Sequence, residues 1–180
     1  MRRASCRSHG VHGTETEQRK RSTVTARIDP ALPEDAGVIA TMVGELLHEI
    51  MEAVSEKAFN FHHHDTEVRA RAWLSEGSYL VLLARVDGTV VGFVALYQSY
   101  ALYTDGVYGS IPEFYVRPAH RSRGIGTALM AQSKKVGQAR GWRRLEVTTP
   151  PLPQFNRTLA FYQRHGFRIS GGRKLKVELS

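Results

Sequence analysis

Residues 117–127 read RPAHRSRGIGT, and they follow an apolar run that extends from Tyr108 to Val116. The run predicts a strand. The pair Arg117-Pro118 ends it, and Gly124 to Arg140 has helical spacing with Gly141 as its stop. The first N–H groups of a helix have no internal acceptor, and the helix dipole is positive there. Gly124 and Gly126 carry no side chain to keep an anion away from those amides, and Arg121 and Arg123 add charge and forked donors. The physical reading is a cradle for a pyrophosphate, weighed against an ordinary glycine-bearing helix start.

The common nucleotide loops do not fit. A P-loop needs a Gly-Lys pair followed by Ser or Thr, and no such string occurs. The dinucleotide fingerprint needs a third small residue where Leu129 stands, and the acidic ribose partner is missing at the usual spacing. ATP and NAD are therefore disfavoured.

Outward from this stretch, the chain alternates strand and helix signals. Val24 to Ile28 reads as a short strand, and Asp29-Pro30 as a turn. Pro33-Glu34-Asp35 opens a helix whose apolar positions run from Val38 to Ile50, and Thr66 to Glu76 is a second helix ended by Gly77. Tyr79 to Val86 and Thr89 to Tyr97 pair as a hairpin across Asp87-Gly88. Arg143 to Thr148 is a strand, Asn156 to His165 a helix stopped by Gly166, and the chain closes on strands around Phe167-Arg168-Ile169 and Leu175 to Leu179. The predicted order is β-α-α-β-β-β-α-β-α-β-β, an α/β domain with a mixed sheet. Residues 24–180 form that domain, and residues 1–23, polar and aperiodic, are expected to be a disordered basic tail.

Composition narrows the partners little. The net charge is +8, and the tail holds half of the excess. A nucleic acid or an anionic cofactor would suit it equally well. The single cysteine, Cys6, allows no intrachain disulfide and no thiolate metal site. No apolar run approaches the ~20 residues that span a bilayer. The basic N-terminus lacks the apolar stretch of a secretory signal, so a cytoplasmic location is the expectation.

With Val116-Arg117-Pro118, Arg121, Gly124 and Gly126 in order, and then Asn156, Ala160-Phe161-Tyr162 and Gly166-Phe167, the chain resembles the GNAT superfamily of N-acetyltransferases. The likeness covers roughly residues 25–170 and is sharpest over 113–167. It implies a mostly antiparallel central sheet flanked by helices, and acetyl-CoA as co-substrate. It also implies that the backbone of Tyr115 and Val116 pairs with the pantetheine arm. Amides of the stretch Arg121, Arg123, Gly124, Ile125, Gly126 and Thr127 would hold the pyrophosphate, and Asn156 would reach the pantetheine region. Tyr162 would protonate the leaving thiolate, against the alternative of a core tyrosine. Glu113 is the candidate general base, as in family members that use a glutamate, against a structural or substrate-binding carboxylate. Strand alternation puts Glu113 and Tyr115 on one face and Phe114 and Val116 on the other. An acid among Ile111, Phe114 and Val116 is expected to have a raised pKa, which suits a base.

The implied activity is transfer of acetyl, or another short acyl group, to an amine of a small molecule or peptide. No cysteine or activated serine suggests a covalent acyl-enzyme, so direct attack is expected. The rivals are a CoA-binding regulator without activity and a nucleic-acid-binding module; for the latter, base-reading motifs are missing. A homodimer follows only by analogy with the fold. His62-His63-His64 has no ligand spacing for a metal and reads as a surface loop at the acceptor entrance. Tyr97, Tyr100, Tyr103 and Tyr108 read as a hairpin surface or an acceptor wall. Glu45, Glu49, Glu52 and Glu56 could attract a polyamine, but the solvent face of an amphipathic helix would show the same residues.

Overall fold

The computed structural model describes residues 26–104, 106–170, 174–177 and 179. The basic tail, Cys6 and the Val24-Thr25 start of the first expected strand lie outside them. The elements in chain order are β1 (Arg27–Pro30), α1 (Ala36–Val54), α2 (His63–Glu76), β2 (Leu80–Val86), β3 (Thr89–Ala101), β4 (Gly106–Ile111), β5 (Phe114–Val116), α3 (Ile125–Ala139), β6 (Leu145–Val147) and α4 (Asn156–Arg164). The sheet runs β1-β2-β3-β4-β6, with β5 also paired to β3. Every pairing is antiparallel except β4 with β6.

β3 organises the molecule. Residues Val90 to Leu96 are buried without interruption, because both faces of the sheet are covered. Phe93 and Ala95 pack on the side of α1 and α2 with Ile39 and Met42. Val94 and Leu96 pack on the opposite side with Leu129 and Met130 of α3 and Tyr162 of α4. The β2–β3 turn is the expected Asp87-Gly88, both at positive φ (49° and 78°), which matches the twist of the paired strands. The pairing then skips Val91, from Arg85↔Val90 to Ala84↔Gly92. That bulge reverses the alternation, so Val90 shares a core with Phe93 and Ala95, and Val91 shares the other with Val94 and Leu96.

The element order departs from expectation in two places. The single strand expected over Tyr108 to Val116 is broken at Pro112-Glu113. Its register on β3 changes by one residue, from Tyr97↔Ser110 to Val94↔Phe114, so a bulge separates β4 from β5. The closing strands are the second departure. Phe167 to Ile169 and the described residues of Leu175 to Leu179 form no strand, and Ile169, Leu175, Val177 and Leu179 are exposed. Their apolar alternation finds no buried face to fill.

The histidine run also differs from the loop reading. α2 begins at His63, so His63 and His64 belong to its first turn, where the His63 imidazole meets Thr41 of α1 at 3.1 Å.

Candidate active site

The bulge at Pro112 opens the sheet. β4 and β6 run side by side as far as Ile111↔Val147, beyond which β6 ends and β5 stays with β3. Among the described residues the other edge of β5 is left open. Its backbone direction follows from two bonds: Ala95 N–H donates to Glu113 C=O and Arg117 N–H to Val91 C=O, both 2.9 Å. Antiparallel pairs alternate, so Glu113, Tyr115 and Arg117 turn their backbone groups to β3, and Phe114 and Val116 turn theirs to the open edge. This corrects the expectation for Tyr115, whose backbone lies opposite Phe93. Val116 faces the opening, and so does Phe114.

The glycine loop has the expected helix start. Pro118 to His120 make one tight turn, and Gly124 caps α3 at φ 85°. The first bond of the helix is Ala128 N–H to Gly124 C=O, 2.9 Å. The amides of Ile125, Gly126 and Thr127 precede it and find no backbone acceptor among the described residues. Gly126 has a second reason to be glycine: a Cβ there would sit 3.3 Å from the Phe161 ring. Gly124 faces open space, so Gly124→Ala tests backbone conformation alone. Left-handed strain is expected to cost about 1–2 kcal/mol of unfolding free energy, read from a denaturant midpoint.

The arginines divide. Arg123 is exposed and makes no ion pair among the described residues. Arg121, expected to serve a phosphate, instead grips Glu49 through both terminal nitrogens (2.9 and 2.6 Å). It also donates Nε–H to the Val116 carbonyl at 2.7 Å and lies over the Tyr115 ring. Arg117 holds Glu45 through Nε and one terminal nitrogen at 2.8 to 3.2 Å, and its other terminal nitrogen donates to the Val90 carbonyl. Two glutamates one helical turn apart on α1 thereby fasten the glycine loop. The polyamine and bare-solvent readings of Glu45 and Glu49 both give way to these pairs. Glu52 meets His48 at 3.1 Å.

On α4, Asn156 is the first residue and is exposed. Tyr162 is only 5% exposed, packed among the rings of Phe114, Phe161 and Phe167 at centroid distances of 5.4 to 6.2 Å. Its hydroxyl makes no hydrogen bond among the described residues. Burial pushes the phenol well above its ordinary pKa, so it keeps its proton. The ring of Phe114 thus joins the open strand edge to the Tyr162 side chain.

Glu113 lies on the other face. Its carboxylate accepts a hydrogen bond from the Tyr79 hydroxyl. Burial raises the Glu113 pKa, and the Tyr79 bond partly opposes the rise. Tyr79 was visible in sequence only as the start of a strand; nothing local marks a partner 34 positions away. Trp73 packs on Tyr79 at 5.5 Å, and Tyr97 lies parallel to it at 6.3 Å across the β2–β3 pair. The tyrosine-rich stretch therefore splits. Tyr97 belongs with Tyr79, whereas Tyr103 and Tyr108 receive the Arg144 guanidinium and Tyr100 is exposed.

Among the described residues no group of three or more His, Cys, Asp or Glu could hold a metal ion, and no helix is long and apolar enough to cross a membrane.

Comparison with known proteins gives a family model, acetyltransferase (GNAT) family, over residues 47–167. An uncharacterised N-acetyltransferase of Mycobacterium tuberculosis is 27% identical over 62% of this chain and 67% of its own. Among solved structures, a ribosomal-protein-alanine N-acetyltransferase from Brucella melitensis biovar Abortus is similar with a TM-score of 0.65 and 23% identity, over 86% of this chain and all of that one. An aminoglycoside N-acetyltransferase in complex with CoA gives 0.69 at 16% identity, over 86% and 96%. The likeness of the solved structures lies in the fold, and the family match spans both the glycine loop and α4. The chain therefore belongs to the acetyltransferase (GNAT) family and is an N-acetyltransferase.

Proposed function

We propose that the protein transfers acetyl from acetyl-CoA to a primary amine by direct attack, in a complex holding both substrates. The observation that carries this reading is the parting of β5 from β6 beside the free N-terminal amides of α3. The outward backbone groups of Phe114 and Val116 would pair with the pantetheine arm as an added strand would. The amides of Ile125, Gly126 and Thr127, with Gly124 and Arg123, would hold the pyrophosphate, and Asn156 would reach the pantetheine. Arg121 would act through its hold on Val116 and Glu49.

For the chemistry, Glu113 takes a proton from the ammonium of the acceptor, and the amine nitrogen attacks the thioester carbonyl. As the C–S bond breaks, Tyr162 gives its proton to the departing sulfur, and the nitrogen gives up its second proton, which restores the Tyr162 phenol. The products are an amide and free CoA. A cytoplasmic setting goes with a cofactor of this kind.

The test has two parts: calorimetric titration with CoA, and thiol release from acetyl-CoA over a broad amine panel. Micromolar CoA binding with turnover is expected. Absence of CoA binding would overturn the proposal, and binding without turnover of any amine would leave a CoA-binding regulator in its place.

Glu113→Gln is expected to lower kcat by about 10²-fold and to flatten the acid limb of the pH–rate profile. A base must be unprotonated, so the parental rate falls as pH falls through the raised Glu113 pKa. Stability has the opposite sense. A folded-state pKa above the unfolded one contributes stability that is full below the unfolded value and is lost as pH rises through the folded value. The glutamine variant should therefore be at least as stable as the parent at neutral pH, which separates loss of the base from loss of the fold.

A further inference from the structure

The surroundings of Glu113 bear on what the acceptor is. The carboxylate is largely enclosed, and among the described residues its one side-chain hydrogen-bond partner is a neutral hydroxyl, that of Tyr79. No Lys, Arg or His pairs with it among the described residues. A buried carboxylate without a cation is costly, so the site has room electrostatically for a positive charge brought from outside. It has room for only one at this spot. The acids of α1 that face the glycine loop, Glu45 and Glu49, are already neutralised by Arg117 and Arg121.

The tyrosine that meets the carboxylate is the middle member of an aromatic row. Trp73, Tyr79 and Tyr97 follow one another in ring contact, and the outer two remain 43% and 38% exposed, large apolar surfaces beside a polar centre. Aromatic faces attract an ammonium and stack on a flat apolar body, but they give a chain of several charges nothing to pair with.

Resting on the acetyl-transfer reading above, we propose that the acceptor is an amine of single positive charge on a short arm from an aromatic ring, an arylalkylamine. Its ring lies on Trp73 and Tyr97, and its ammonium meets Glu113. Tyr79 is a positioning residue that holds Glu113 toward it.

The experiment measures thiol release from acetyl-CoA with 2-phenylethylamine, ethylamine, spermidine and kanamycin, for the parent and for Trp73→Ala, Tyr97→Ala and Tyr79→Phe. For the parent, kcat/KM with phenylethylamine is expected to exceed that with spermidine or kanamycin by about tenfold or more. Trp73→Ala and Tyr97→Ala should each raise KM for phenylethylamine by about five- to tenfold with little change in kcat, a larger rise than for ethylamine. Tyr79→Phe should keep KM, lower kcat and move the acid limb to higher pH, because the bond that holds the Glu113 pKa down is gone. A preference for spermidine or kanamycin would overturn the inference, as would turnover of phenylethylamine indifferent to both wall variants. If no amine releases thiol, acetyl transfer is what has failed. The acceptor inference is then read by titrating tryptophan fluorescence with phenylethylamine and spermidine in the presence of CoA. A response to the first that Trp73→Ala abolishes supports the inference, and equal or absent responses overturn it.

Discussion

Tyr162→Phe is expected to lower kcat by about 10²–10⁴-fold while leaving CoA affinity and unfolding free energy nearly unchanged. The reasoning starts from what the hydroxyl lacks. Tyr162 is buried among Phe114, Phe161 and Phe167, yet its oxygen makes no hydrogen bond among the described residues. Removing it takes away no internal partner and leaves the ring packing intact, so a structural tyrosine would tolerate the change. An acid would not. Protonating the departing sulfur as the C–S bond breaks avoids expelling a bare thiolate into an apolar surround. Burial keeps the phenol protonated well above its ordinary range, so its own ionisation should add no alkaline limb near neutral pH. Steady-state kinetics with a CoA titration and a denaturant curve separate the cases: loss of kcat alone supports the acid, whereas an unchanged kcat rules it out.

Gly109→Ala is expected to destabilise the protein by about 3 kcal/mol, lowering the melting temperature by roughly 10 °C. A Cβ at this position would lie 2.1 Å from Cε3 and 2.3 Å from Cζ3 of Trp142, and 2.7 Å from Leu145 Cδ2. None of these atoms can retreat cheaply. The indole is buried and its N–H is held by Gln98 at 2.8 Å, while Gly137 already makes room for it on the far side. The backbone cannot move either, because β4 is bonded to β3 at Gln98 and to β6 at Leu145. Calorimetry or a guanidinium curve measures the loss; a change below 1 kcal/mol would mean that Trp142 is far less fixed than its contacts indicate. CoA affinity should fall in parallel, because the β4–β6 pair is the base from which the sheet opens.

These features differ in how far they could be read before folding. The Asp87-Gly88 hairpin, the Gly77 and Gly141 helix stops and the helix start at Gly124 depend on residues within a few positions, so each leaves a local signature. The family motifs are local in the same way. The Pro112 bulge is not. A proline in a strand signals an irregularity, but which backbone groups face the opening depends on register against β3, and one added residue exchanged Tyr115 for Phe114. Side-chain partners were equally hidden. Arg121 and Glu49 are 72 positions apart, and Tyr79 and Glu113 are 34 apart. The C-terminal alternation misled for a related reason: period two describes a strand only where another strand or a core receives it.

The grip of α1 on the glycine loop has a consequence for engineering. Each of the two ion pairs is partly exposed and contributes only about 0–1 kcal/mol to stability. Their value lies instead in coupling two halves that would otherwise vary independently. On the proposed reading, a helix bordering the acceptor side is geared to the loop that would receive the donor. Random mutagenesis of α1 toward new acceptors would often disengage that gear and lose the donor along with the old acceptor. On the proposed acceptor reading, a library that keeps Glu45, Glu49 and Tyr79 and diversifies Trp73 and Tyr97 would change what is acylated without disturbing what is spent to acylate it.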